Sequence, residues 1–164
     1  MKNASRLTIA LLAGLLGPVA AFAAGSADSV TVADPYVRMV PPGAKATAAF
    51  MVLKNAGDKD TKLVKVESAA AKTVELHNHI NDNGVMRMRQ VTAIDVKAKG
   101  EAALKPGGYH VMLIDPTAAL KEGDKVGITL GFADGSSKKI DAVVRKPEVP
   151  VKTEMDHSHH DHKH

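Results

Sequence analysis

The apolar and polar residues of this chain follow the two-residue period of β-strands more often than the period of helices. Residues 125–132 alternate cleanly, with every second side chain apolar from Val126 to Phe132. Only residues 116–121 suggest a helical turn. Strand-compatible segments are also found at residues 46–54, 73–76, 85–89, 93–96, 109–114 and 140–144.

Turn-forming residues separate these segments. Asp82-Asn83-Gly84 is one such turn, and an Asn-Gly step is typical of a two-residue hairpin. Many short strands at this spacing predict an all-β antiparallel sandwich or barrel. The predicted organisation is a leader at 1–23, one β-domain at 24–146 and a polar, disordered tail at 147–164.

The leader has the pattern of a secretory signal peptide. Lys2 and Arg6 precede an apolar run, and cleavage after Ala23 fits the small-x-small rule, with Ala21 as the second choice. The alternative is an uncleaved anchor, but the run falls short of the roughly 20 residues that a membrane span needs. We therefore expect a periplasmic protein with no membrane span after cleavage.

Composition excludes several classes of protein. The chain has no Cys, so it has no disulfide, thiolate nucleophile, iron–sulfur cluster, thiolate copper centre or Cys-linked lipid anchor. Removal of the leader leaves 20 basic and 18 acidic residues, a charge of +2, and four aromatic residues. This balance gives no surface for nucleic acid. No nucleophile elbow, carboxylate pair or HExxH motif is present, so we expect no enzyme activity.

Soft metal donors are concentrated in the middle of the chain. Residues two apart on a strand share a face, and the turn at Asn83-Gly84 folds residues 85–89 back, bringing Met88 towards His77. Thioethers favour Cu(I) and offer little to zinc, calcium or magnesium. Taken singly, each residue also fits an ordinary role, because Met often fills cores and His near a turn is often solvated. The candidates are His77, His79, Met86, Met88, His110 and Met112.

The spacing His77-x10-Met88-x21-His110-x-Met112 resembles the pattern of the periplasmic copper chaperones called PCu(A)C. The similarity extends over residues 34–144 and includes Val74-Glu-Leu-His77. It implies a cupredoxin-like antiparallel Greek-key β-sandwich that binds Cu(I) through these four residues. It also implies delivery to the binuclear copper centre of cytochrome c oxidase, alongside Sco-type thiol proteins. His79 and Met86 fall outside the pattern and are accessory candidates.

The tail is a second candidate metal site. Imidazole binds Cu(II), zinc and nickel, and it competes with protons near pH 6.5, so we expect weak, pH-dependent recruitment of Cu(II). The alternatives are a purification tag and a merely solubilising tail. We expect a monomer, and the sequence leaves open whether metal bridges two chains through their tails. The donors are Met155, His157, His159, His160, His162 and His164.

Two other functions use the same residues. A periplasmic copper buffer or resistance protein would hold copper at the same site without a dedicated acceptor. A zinc or nickel scavenger would depend on the tail, and its zinc binding would survive substitution of His77 and Met88.

Overall fold

The structure is a computed structural model that describes residues 25–147, and its regular secondary structure is almost entirely β-strand. A single helical turn, α1 (Ser26–Ser29), precedes ten strands. The strands are β1 (Val30–Arg38), β2 (Ala46–Asn55), β3 (Thr61–Glu67), β4 (Ala71–Asp82), β5 (Val85–Gln90), β6 (Ile94–Val96), β7 (Glu101–Leu104), β8 (His110–Pro116), β9 (Lys125–Phe132) and β10 (Ser137–Arg145).

The strands form one hydrogen-bonded path in the order β5-β4-β8-β2-β1-β10-β9-β3-β6, and β7 pairs with β2 off this path. β1 and β10 run parallel, whereas every other described ladder is antiparallel. The path closes over itself, because β3 also packs against β4 and β6 against β2 and β7. The result is the predicted antiparallel-rich β-sandwich.

The core lies between these layers and follows the predicted alternation. On β9, Val126, Ile128, Leu130 and Phe132 are all buried. Burying each such side chain contributes about 1.5–3 kcal/mol, which fixes the register of the strand because a slip of one residue would expose all four. The predicted strand at 125–132 is therefore confirmed residue by residue.

The Asn83-Gly84 turn joins β4 to β5, as predicted. Both residues have positive φ values, 52° for Asn83 and 86° for Gly84, as a two-residue hairpin of this handedness requires. The side-chain oxygen of Asn81 accepts a hydrogen bond of 2.7 Å from the Gly84 amide. β5 is the edge strand of the path, and all six of its residues are exposed.

Three strands and two helical turns differ from the sequence prediction. β1, β3, β7 and the turn of α1 were not predicted. The helical turn expected at residues 116–121 is wrong, since no helix forms there. Thr117 instead donates its amide to the Ala70 carbonyl and its hydroxyl to the Ala69 carbonyl, so these tertiary hydrogen bonds replace local helical ones.

Two of the predicted segments lie outside the described residues: the leader at 1–23 and the tail donors from Met155 to His164. Within residues 25–147, no helix is long and apolar enough to cross a bilayer.

Candidate metal centre

Three adjacent strands bring the predicted donors onto one face of the sheet. Across β4 and β8, His77 lies opposite His110, and Glu75 lies opposite Met112. Across β4 and β5, His79 lies opposite Met88. Because side chains two residues apart on a strand share a face, all of these side chains point to the same side. The hairpin therefore places Met88 across from His79, two residues along the strand from the predicted position beside His77.

A cavity of about 210 Å³ opens on this face. It contains four of the predicted donors, two imidazoles and two thioethers, and its remaining wall is mostly small or apolar. Its lining residues are Arg38, Val40, Ala46, Thr47, Ala48, Phe50, His79, Met88, Pro106, Gly107, His110 and Met112.

His110 is the buried anchor of the site, with only 2% of its surface exposed. Its Nδ1 lies 3.0 Å from the Gly108 carbonyl oxygen. Since a carbonyl only accepts, Nδ1 carries the proton and Nε2 keeps the lone pair that a metal needs. Burial lowers the pKa of His110 below its usual 6.5, and the nearby His79, His77 and Arg38 lower it further, against the opposing Gly108 hydrogen bond.

His77 is held by a neighbouring carboxylate. Its Nε2 donates to Oε2 of Glu75 at 2.7 Å, and both side chains are largely buried. This arrangement puts the ring proton on Nε2 and leaves Nδ1 as the acceptor. That Nδ1 is buried and has no hydrogen-bond partner among the described residues. Carboxylates that fix the orientation of a metal-binding histidine act in this way.

His79 lies between the exposed edge and the buried anchor. Its ring centroid is 5.1 Å from that of His110, closer than the 5.8 Å that separates His77 from His110. Its Nδ1 is also buried without a hydrogen-bond partner in the described part of the chain. The sequence reasoning placed His79 only as an accessory, whereas the structure puts it in the cavity.

The three methionines differ in their surroundings. Met112 is half-buried on β8, opposite Ala48 of β2. Met88 lines the cavity and is 43% exposed. Met86 lies opposite Asn81, is 56% exposed and does not line the cavity. Met88 and Met112 are thus assembled with the imidazoles, whereas Met86 is not.

Aromatic and cationic groups close the far side of the cavity. The ring of Phe50 lies 6.2 Å from the His110 ring, and the Arg38 guanidinium lies 5.1 Å above Phe50. Tyr36 packs on Phe50 with a centroid separation of 5.2 Å. These contacts hold the apolar wall against which His110 rests, and cation–π attraction of this kind adds to the packing.

The donor set determines what the centre can hold. Among residues 25–147, no three His, Cys, Asp or Glu side chains stand close enough together to bind a metal ion. A metal in this cavity therefore depends on the thioethers of Met88 and Met112. Neutral thioethers and imidazoles suit a soft monovalent ion better than a hard divalent one.

Sequence reasoning missed three residues that build the site: Glu75, Phe50 and Arg38. Glu75 had a readable signal, because it precedes His77 by two positions on a predicted strand and so shares its face. Phe50 and Arg38 reach the site through the pairing of β2 with β1 and β8. The pairing of β2 with β8 is long-range, and no local pattern indicates it.

The chain is similar to proteins of one family. The family model described as LpqE-like lipoproteins matches residues 30–144. Lxx21020 of Leifsonia xyli subsp. xyli, which is named as a lipoprotein, is 35% identical over 150 residues, covering 87% of this chain and 85% of that protein. RP573 of Rickettsia prowazekii is 31% identical over 133 residues, covering 74% of each chain.

Two solved structures have the same fold. The copper-bound PCuAC domain of PmoF2 superposes with a TM-score of 0.62 at 25% identity, covering 73% of this chain and 94% of that one. The Cu(I)-bound form of DR1885 from Deinococcus radiodurans superposes with a TM-score of 0.60 at 33% identity, covering 71% and 78%. The cupredoxin-like β-fold implied by the sequence is confirmed. The chain belongs to the LpqE-like, PCuAC-type family.

Proposed function

We propose that this protein is a copper chaperone that carries Cu(I) in the cavity between β4, β5 and β8. The observation that carries the proposal is the convergence of two thioethers and at least two imidazoles on one sheet face. Similarity to the Cu(I)-bound form of DR1885 supports copper as the cargo. The proposed ligands are His77, Met88, His110 and Met112, the four residues of the family-like spacing.

The exposure of the donors supports a carrier rather than a permanent metal site. His110 is almost fully buried, whereas Met88 on the edge strand is exposed. Copper bound between them would be anchored on one side and open to solvent on the other. An acceptor can then bring its own ligand to the open side before the ion leaves the buried imidazole. Without thiolates in the chain, the ion is also held less tightly.

The proposed destination is the binuclear copper centre of cytochrome c oxidase, with Sco-type thiol proteins acting alongside. The support for it is the sequence resemblance described above. The proposed location is the periplasm, because residues 1–23 have the pattern of a cleaved export signal. The names of the relatives suggest a lipid anchor, but this sequence has no Cys to carry one.

The C-terminal histidines are proposed to recruit Cu(II) separately. Five imidazoles between His157 and His164, with Met155 before them, offer several nitrogen donors. Binding should weaken as the pH falls through about 6.5, because protons then compete for the imidazoles. A chain ending at Lys152 should lose this Cu(II) stoichiometry, and an unchanged stoichiometry would remove the tail from the proposal.

Cu(I) affinity tests the proposed site. Anaerobic competition with bathocuproine disulfonate should give a Cu(I) affinity at least about a hundredfold lower for His110→Ala plus Met112→Ala than for the unsubstituted chain, since two of four donors are lost. Met39→Leu is the matched control, because Met39 packs against the core and does not line the cavity. Equal affinity of the double variant and the unsubstituted chain would refute the site.

A copper buffer is the second candidate, since the exposed Met88 would serve storage as well as transfer. The two functions differ in the acceptor. A chaperone should transfer Cu(I) to the apo copper-centre subunit of the oxidase faster than to a chelator that has the same affinity for Cu(I). A buffer should show no such preference. A zinc or nickel scavenger would instead keep its metal after His77→Ala and Met88→Ala.

A further inference from the structure

The geometry points to His79 as an additional copper ligand. The site then offers five donors. Met88, His110 and Met112 bind copper throughout, and His77 and His79 are alternative imidazole ligands for the remaining position. This inference rests on the proposed function, since it assigns a residue to the same copper site. His79 lies outside the four-residue spacing, and its position and contacts alone assign it to the site.

The register of the β4–β5 hairpin places His79 directly opposite Met88. β4 and β5 are joined by a two-residue turn, and this pairs Asp82 with Val85 and therefore His79 with Met88. Directly opposed residues of an antiparallel pair have Cβ atoms about 5 Å apart, so one ion can contact both side chains. His77 is instead paired with Gln90 on that strand. Met88 is thus directly opposite His79, whereas His77 lies two residues further along β4.

The lining of the cavity also favours His79 over His77. His79 lines it together with Met88, His110 and Met112, whereas His77 is not among its lining residues. The His79 ring is also the nearer of the two to the His110 ring, at 5.1 Å against 5.8 Å. The two imidazoles therefore flank His110, and a small rotation of either ring changes which of them reaches the same ion.

His79 also carries an unmet hydrogen-bonding group. Nδ1 of His79 is buried and has no partner among the described residues. Leaving a buried polar atom without a partner is unfavourable, and most such atoms in proteins are paired. Nδ1 of His77 is unpaired in the same way, but its Nε2 is tied to Glu75. A metal ion beside the two rings would supply the missing partner to whichever Nδ1 it meets.

The arrangement has a consequence for release. Cu(I) is a closed-shell ion that takes up to four donors, so five are more than it needs at once. One imidazole can replace the other while Met88, His110 and Met112 keep hold of the ion. The ion then changes partners without becoming free, and the exposed donor, Met88, remains the side from which an acceptor can approach.

A double-substitution cycle in the full chain tests this inference. Cu(I) affinity is measured anaerobically against bathocuproine disulfonate for His77→Ala, His79→Ala and the two combined. We expect each single substitution to weaken binding by less than about tenfold and the pair by more than about a hundredfold, because either imidazole replaces the other. Asn78→Ala is the matched control, since Asn78 lies between the two on the opposite face.

The inference is overturned if His79→Ala binds Cu(I) like the unsubstituted chain while His77→Ala alone loses as much as the pair. This outcome leaves the proposed function standing, because that depends on His110→Ala plus Met112→Ala. A second measurement avoids substitution altogether. In protein labelled with ¹⁵N at histidine, one equivalent of Cu(I) should shift the ring nitrogens of His79. Unchanged His79 nitrogens beside shifted His110 nitrogens would equally refute it.

Discussion

Strands β9 and β5 use their apolar residues in opposite ways. On β9, every second side chain is apolar and at most 3% exposed, as from Val126 to Phe132. On β5, Val85, Met86 and Met88 are 55%, 56% and 43% exposed, and no residue of the strand is buried. β9 thus commits its apolar residues to the core. β5 presents them to solvent beside the candidate metal centre, where exchangeable donors are useful.

β5 is also protected in a way that β9 does not need. Arg87 and Arg89 alternate with the two methionines and point to the other face of the hairpin. Arg87 pairs with Asp82 at 3.0 Å. Charged residues on an edge strand discourage pairing with the edge of another chain. The hairpin can therefore keep exposed thioethers without becoming a template for aggregation.

The largest expected effect is a loss of stability when a core residue of β9 is truncated. Leu130→Ala removes a fully buried side chain, so the free energy of unfolding should fall by about 2–5 kcal/mol. Urea denaturation followed by circular dichroism measures it. Cu(I) affinity of the fraction that remains folded should stay within about twofold, because Leu130 does not touch the cavity. A change below about 1 kcal/mol would mean that β9 is not part of the core.

A smaller effect, confined to copper binding, is expected from β5. Met88→Leu keeps the volume but removes a thioether, so Cu(I) affinity should fall at least about tenfold while stability changes by less than about 1 kcal/mol. Met86→Leu is the matched control on the same strand and face, outside the cavity. Equal affinities of the two variants would show that the cavity does not select between these methionines.

The smallest expected effects come from glycine substitutions in the turns that adjoin β5 and β9. Gly84 joins β4 to β5 and Gly135 joins β9 to β10, with φ values of 86° and 83°, and a Cβ added at either position would meet no other atom within 4 Å. Replacement by Ala should cost about 1 kcal/mol at Gly135, because the left-handed conformation strains the side chain. At Gly84 the global loss should be smaller, since an exposed edge hairpin opens without unfolding the core.

Urea denaturation of both glycine variants measures the difference, with amide hydrogen exchange to locate it. Faster exchange limited to β5 in Gly84→Ala would support local opening of the hairpin. Equal losses of unfolding free energy in the two variants would show that the hairpin unfolds with the core. Strands β5 and β9 would then differ only in how exposed their apolar residues are.

Local patterns predicted the parts of the fold that local physics determines. Strand β9 follows from its alternation, and the β4–β5 hairpin follows from Asn83-Gly84. β1 escaped prediction because Asp34, with φ of 47°, and a register shift between Ala33 and Tyr36 interrupt its pattern. β7 is only four residues long and half of it is Ala, so its strand character comes from pairing with β2.

The candidate site was predictable in its residues but not fully in its geometry. Six candidate donors were identified from the sequence, and four of them line the cavity. The two-residue turn already implied that His79 faces Met88, although Met88 was assigned to His77. The contribution of β8 and β2 was out of reach, because it depends on strands far apart in the sequence. The buried Nδ1 atoms of His77 and His79 are likewise a product of tertiary packing.

The row of rings from Tyr36 through Phe50 to His110 also has a practical value. The chain contains no Trp and only two Tyr, so these two residues are the source of its intrinsic fluorescence. Tyr36 reaches His110 through Phe50, and Tyr109 adjoins His110 in the chain. Both light-emitting residues thus lie near the cavity, and none lies on β9 or β10. We expect tyrosine emission to change when metal reaches the cavity, because Tyr36 packs on Phe50, which lines it.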